Sequence, residues 1–109
     1  MSIDLKTAYD PGLFLVAVDG SRLVGTVMGG YDGHRGWIYS LAVDENDRHR
    51  GIGTDLMAEV ERRLKDRGCL KINLQVMPDN TGVVQFYRDL GFSVEDRLSM
   101  GKRLYDGLS

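Results

Sequence analysis

Two arginines and two glycines crowd into the seven residues Arg48, His49, Arg50, Gly51, Ile52, Gly53 and Thr54, just ahead of a run with apolar residues at helical spacing. Glycine lets a backbone come close to a ligand. The first turn of a helix also carries N–H groups without intrahelical acceptors, at the positive end of the dipole. Such a loop suits a phosphate or pyrophosphate. The same residues also read as a solvated basic loop whose glycines make a tight turn, since glycine pairs recur by chance. The lysine of a GxxxxGK[ST] loop and the third glycine of a GxGxxG fingerprint are absent, which demotes nucleoside triphosphates and NAD as ligands.

The elements that must hold this loop are legible on either side. Residues 13–18 are continuously apolar and read as a strand, Asp19, Gly20 and Ser21 as a turn, and residues 23–31 as the returning strand of a hairpin. A second turn at residues 32–36 leads to a third strand over residues 37–43. Ile52, Leu56, Met57, Val60 and Leu64 then share one helical face, and Gly68 closes that helix. Residues 70–77 alternate as a strand, Asn80 and Thr81 offer caps for a short helix over 83–90, and Gly91 ends it. Residues 92–94 and 98–104 are strand candidates around the charged turn 95–97. The order is β-β-β-α-β-α-β-β, an α+β domain with helices packed on one mixed sheet.

Asn80, Phe86, Tyr87, Gly91 and Phe92 complete a second pattern. The loop and this helix together resemble the GCN5-related N-acetyltransferase (GNAT) family, with its Q/R-x-x-G-x-G/A segment followed by N-x-x-A-x-x-F-Y-x-x-x-G-F. The resemblance runs over roughly residues 13–104, with Leu41, Ala42 and Val43 similar to the end of the family's fourth strand. Three positions depart from the pattern: Glu45 stands where proline is common, Asp47 where an aromatic is common, and Val83 where alanine is usual. On this resemblance the chain is an N-terminally shortened member that lacks the usual first strand and helix, with residues 1–12 a remnant of the N-terminal segment, what is left of its second helix.

The resemblance implies transfer of an acetyl group from acetyl-coenzyme A to an amine by direct attack in a ternary complex. Backbone N–H groups of Arg50, Gly51, Ile52, Gly53 and Thr54 would bind the pyrophosphate, with Arg48, His49 and Arg50 around it. The pantetheine arm would lie along Leu41, Ala42 and Val43 like an added strand, with the Val43 N–H facing the thioester oxygen. Asn80 and Tyr87 complete the implied cofactor set. Tyr87 is the implied proton donor to the departing thiolate, and otherwise a core aromatic beside Phe86. No general base declares itself; Glu45, Asp32, His34 and Tyr39 are candidates that read equally as surface or packing residues. The alternative is a non-catalytic acyl-coenzyme A-binding or assembly module of the same fold.

A chain of 109 residues makes one domain, 1–109, and its net charge of -2 leaves no footprint for nucleic acid. The lone Cys69 forms no internal disulfide, His34 and His49 have no metal-ligand spacing, and no apolar run is long enough to span a membrane. With no apolar leader at the N-terminus, these features point to a cytoplasmic protein that uses no metal. A missing first strand would leave residues 13–18 as an apolar sheet edge, from which a homodimer is expected.

Overall fold

The computed structural model describes residues 3–9 and 13–105, apart from the side chain of Tyr9. The chain forms two compact units, Met1–Met77 and Pro78–Ser109.

The first unit is a five-stranded sheet in the order β1 (Ile3–Tyr9), β2 (Phe14–Asp19), β3 (Arg22–Tyr31), β4 (Gly36–Val43), β5 (Ile72–Leu74). Every neighbouring pair is antiparallel except β4 and β5, which run parallel. A parallel pair needs a crossover, and helix α1 (Ile52–Asp66) supplies it across one face of the sheet. Leu15, Ala17, Val24, Val27 and Ile38 on that face meet Ile52, Leu56, Met57, Val60 and Leu64 of α1, all at most 7% exposed. Close contact is possible because the strands carry glycine beneath the helix: a Cβ on Gly25 would lie 3.0 Å from Ile52 Cγ2, and one on Gly36 3.0 Å from Leu64 Cδ1. The helix ends as its sequence indicates. Gly68 is left-handed, its N–H bonds to Lys65 O, and the Cys69 N–H bonds back to Leu64 O.

The second unit contains α2 (Thr81–Asp89), capped by Asn80, whose side chain accepts from the Val83 N–H. Gly91 is left-handed at its end, and the Phe92 N–H turns back to Tyr87 O.

The α+β class stands, but the element order differs at both ends. Ile3, Leu5 and Thr7 alternate with Asp4, Lys6 and Ala8, and this period-two pattern forms β1 rather than a helical remnant. Residues 1–2 and 10–12 of the N-terminal segment lie outside the described residues. β1 pairs with β2 along its length, so residues 13–18 are not an unpaired edge, and the dimer expected through that edge loses its basis. The strands expected at 92–94 and 98–104 do not form. Val94, Leu98 and Met100 are 71 to 92% exposed, and alternation without a partner ladder makes no strand. β5 is also shorter than the expected 70–77.

Candidate active site

β4 is the base of the site. It pairs with β3 down to Val43, but with β5 only through Gly36, Trp37 and Ile38. Beyond Ile38 the register against β3 shifts at Tyr39, and residues 39–43 run on without a β5 partner. The Asp44 N–H bonds to Val24 O on β3 at 2.8 Å. Because successive residues of a strand alternate sides, the N–H and C=O of Val43 and Leu41 point the other way, toward the open side. Leu41 and Val43 are half-buried, and Ala42 is exposed. Where the two strands part, Trp37, Ile38, Tyr39 and Gln75 line an open cleft of about 340 Å³.

A 3-10 turn, Glu45–Asp47, carries the chain from β4 to the glycine loop, with Asp44 Oδ1 accepting from the Asn46 N–H at 2.9 Å. In the loop His49 has φ +67° and Gly51 φ +77°, two left-handed residues bracketing Arg50. Gly51 is the N-cap of α1 and offers no capping side chain. The Asp55 N–H, donating to Gly51 O at 3.0 Å, makes the first helical bond. The N–H groups of Ile52, Gly53 and Thr54 therefore have no intrahelical acceptor, at the positive end of the helix dipole. This geometry fits a pyrophosphate: there is no side-chain cap to displace, and Gly51 and Gly53 add little bulk.

The cations around the loop are not equivalent. Arg48 and His49 are exposed. The Arg50 guanidinium, expected to add charge to the anion site, instead donates to Asp47 Oδ1 at 2.5 Å and to Asp19 Oδ2 at 3.2 Å. Asp47 is only 2% exposed and also accepts both terminal nitrogens of Arg22, at 2.6 and 2.9 Å. Hydrogen bonds from Arg22 hold the Asp47 carboxyl below the usual carboxylate range against the cost of its burial, and Arg50 adds to the effect. Ile52 contributes only its backbone to the loop, its side chain being 1% exposed in the core.

In the second unit Tyr87 stands edge-on to Phe86 and Phe92, with ring centroids 5.1 and 5.6 Å away. Burial pushes its phenol above the ordinary tyrosine value, so it carries its proton throughout the neutral range. Among the candidate bases, Asp32 is engaged in its own turn. It accepts from the Arg35 and His34 N–H groups, which hold it below the usual range and make it a poor base. Tyr39 lines the cleft, and Glu45 and His34 are exposed. Among the described residues no group of three or more His, Cys, Asp and Glu is placed to hold a metal, and no helix is long and apolar enough to cross a membrane.

The profile of the acetyltransferase (GNAT) family matches residues 2–92. This chain belongs to that family. It is 46% identical over 106 residues to an acetyltransferase of Pectobacterium atrosepticum, covering 97% of this chain and 75% of that one. Among solved structures it is similar to Ard1 of Thermoplasma volcanium, with TM-score 0.75 and 30% identity over 80% of this chain and 60% of that one. It is also similar to the NatC complex bound to Gag peptide and CoA, with TM-score 0.75 and 26% identity over 81% of this chain and 62% of that one. The chain thus spans three quarters of the curated relative and under two thirds of these solved chains.

Within the GNAT fold, the first unit brings Leu41, Ala42, Val43 and the loop residues Arg48, His49, Arg50, Gly51, Gly53 and Thr54 to one end of the sheet. Asn80 and Tyr87 belong to the second unit, where Asn80 serves as a helix cap. Sequence reasoning missed Asp19, Arg22, Asp47 and Gly25. The available signal was Asp47 itself, an acid in an aromatic's usual place beside two arginines.

Proposed function

We propose that this chain transfers the acetyl group of acetyl-coenzyme A to a primary amine of a small molecule or peptide, by direct attack in a ternary complex. The observation that carries this reading is a strand end open on its β5 side next to a helix start without a side-chain cap, joined by eight residues, 44–51. The first offers main-chain groups to the amides of a pantetheine arm, and the second offers N–H groups to a pyrophosphate. The cosubstrate carries both groups in succession, its pantetheine arm joined directly to the pyrophosphate. CoA in the structure of the similar NatC complex supports the same choice.

In this reading residues 50–54 bind the pyrophosphate through N–H groups, Arg48 adds an exposed positive charge, and residues 41–43 align the pantetheine. The Val43 N–H stabilises the thioester oxygen as charge develops on it. The amine nitrogen forms the new N–C bond, and the C–S pair leaves on sulfur. The Tyr87 phenol donates its hydrogen bond, and then its proton, to the thiolate, while the amine's surplus proton passes to solvent. A raised phenol pKa makes full transfer uphill to a thiol of pKa about 8.5, so the hydrogen bond in the transition state carries most of the benefit.

The test begins with calorimetric titration of the protein with acetyl-coenzyme A and coenzyme A, beside Thr54→Glu. An acid in the first turn of α1 complements the dipole, so this variant keeps the fold while repelling phosphate. Wild-type binding lost in Thr54→Glu is expected. Thiol release is then followed over a panel of amines, where Tyr87→Phe is expected to lower kcat by about 10² or more with coenzyme A affinity retained. Binding without transfer to any amine, or full activity in Tyr87→Phe, would sink the catalytic assignment.

A further inference from the structure

Asp47 is the most buried charged group described, at 2% exposure, and it sits one residue before the glycine loop. Its two oxygens accept three bonds, two from Arg22 and one from Arg50. Arg50 reaches on to Asp19, and Asp19 is the cross-strand partner of Arg22 at the β2–β3 turn. Two carboxylates and two guanidiniums therefore form a charge-balanced chain that ties both ends of the segment 47–50 to one rigid hairpin end.

Of the two residues inside that clamp, Arg48 and His49, the second has φ +67°. A non-glycine side chain in the left-handed region is strained and persists only where its surroundings over-determine it. At the helix start the N-cap, Gly51, adds no side-chain bond to the loop. The conformation that leaves the first N–H groups of α1 open thus depends on a network outside the loop.

We propose that Asp47 is the positioning residue of the anion loop. It touches no ligand. Through Arg50 and Arg22 it fixes residues 48–51 in the geometry that presents backbone N–H groups to the pyrophosphate. This assignment rests on the acetyl-coenzyme A reading and deepens it: Arg50 serves the loop's shape, and recognition of the anion falls to the backbone with Arg48.

Charge and geometry predict opposite signs, and this decides the test. Asp47→Asn is nearly isosteric and raises the local charge by one unit, so electrostatics alone tightens binding of a pyrophosphate. Loss of positioning weakens it. The same opposition holds for Asp19→Asn, which loosens only the outer Arg50 bond at a side chain one-third exposed, and so carries less risk to folding. Coenzyme A is titrated calorimetrically into the wild type and both variants, with circular dichroism recording that each is folded.

The expected result is a Kd raised about tenfold or more in Asp47→Asn, the cost of one charge-assisted hydrogen bond lost from the pyrophosphate. Asp19→Asn should show a smaller rise of the same sign. Unchanged or tighter binding in folded Asp47→Asn overturns the inference, and if that variant does not fold, unchanged or tighter binding in Asp19→Asn does so. A wild type that binds no coenzyme A overturns the functional reading first and this inference with it; wild-type binding that survives both substitutions removes the inference alone.

Discussion

Replacing Gly25 with alanine puts a methyl group where α1 meets the sheet. The new Cβ would lie 3.0 Å from Ile52 Cγ2, 3.1 Å from Leu56 Cδ1 and 3.2 Å from the backbone oxygen of Ala42. All three contacts are shorter than a carbon normally tolerates, and two of the neighbours cannot simply swing aside. Ile52 is the first residue of α1 and buried at 1% exposure, and Ala42 O belongs to the strand end proposed to hold the pantetheine. The helix start must move by a few tenths of an ångström. Overpacking costs about 1–3 kcal/mol, and three short contacts at once put this case in the upper half, about 2–3 kcal/mol; alanine returns about 0.5–1 kcal/mol through the lower entropy of its unfolded chain, leaving a net loss of about 1–2.5 kcal/mol. For a chain of this size that lowers Tm by about 4–20 °C, read by circular dichroism melting. Coenzyme A affinity should fall in parallel, because the displaced residue opens the anion loop. A Gly25→Ala protein with wild-type Tm and affinity would refute the claim that glycine sets the distance between helix and sheet.

Other substitutions probe the strain and the charges. His49→Gly removes the left-handed penalty of about 1–2 kcal/mol and adds backbone entropy of about 0.5–1 kcal/mol, so Tm should hold or rise; a fall of several degrees would mean that the imidazole supports the loop. Arg62 and Arg63 hold the Glu59 carboxyl at about 2, down from 4.5. A depressed pKa contributes stability that is complete above the unfolded value and is lost as pH falls through the folded one. Urea midpoints should therefore decline between about pH 4.5 and 2 in the wild type, and less steeply in Glu59→Gln.

The parts of the fold that were legible are those where local chemistry agrees with the global arrangement. Gly20, Gly68 and Gly91 stand at chain reversals and are left-handed, Asn80 caps the helix it precedes, and five apolar residues at helical spacing form the buried face of α1. The ends failed for opposite reasons. At the N-terminus a true period-two pattern, Ile3, Leu5 and Thr7, was overridden by the expectation of a helical remnant. At residues 98–104 a strand was expected beside the charged turn 95–97, although a strand exists only where another strand answers its hydrogen bonds. Hydrophobic period identifies a segment able to pair; it does not supply the pair.

The site was legible as far as it consists of backbone. A glycine-flanked helix start and a strand running into it need no distant partner to be recognised, and α1 does begin at Ile52, inside the expected glycine loop. Side-chain roles were not legible, because Arg50 reads as a ligand for phosphate until Asp19, thirty-one residues away, is folded against it. An arginine in a basic loop has two possible employers, the anion and the protein's own carboxylates, and sequence spacing cannot choose between them. The buried acid can: a carboxylate is seldom placed beside an anion site unless its charge is already answered, and Asp47 is answered by two guanidiniums. An acidic residue interrupting a basic loop is therefore evidence that some of the neighbouring cations are structural, as Arg50 is here, while Arg48 stays exposed.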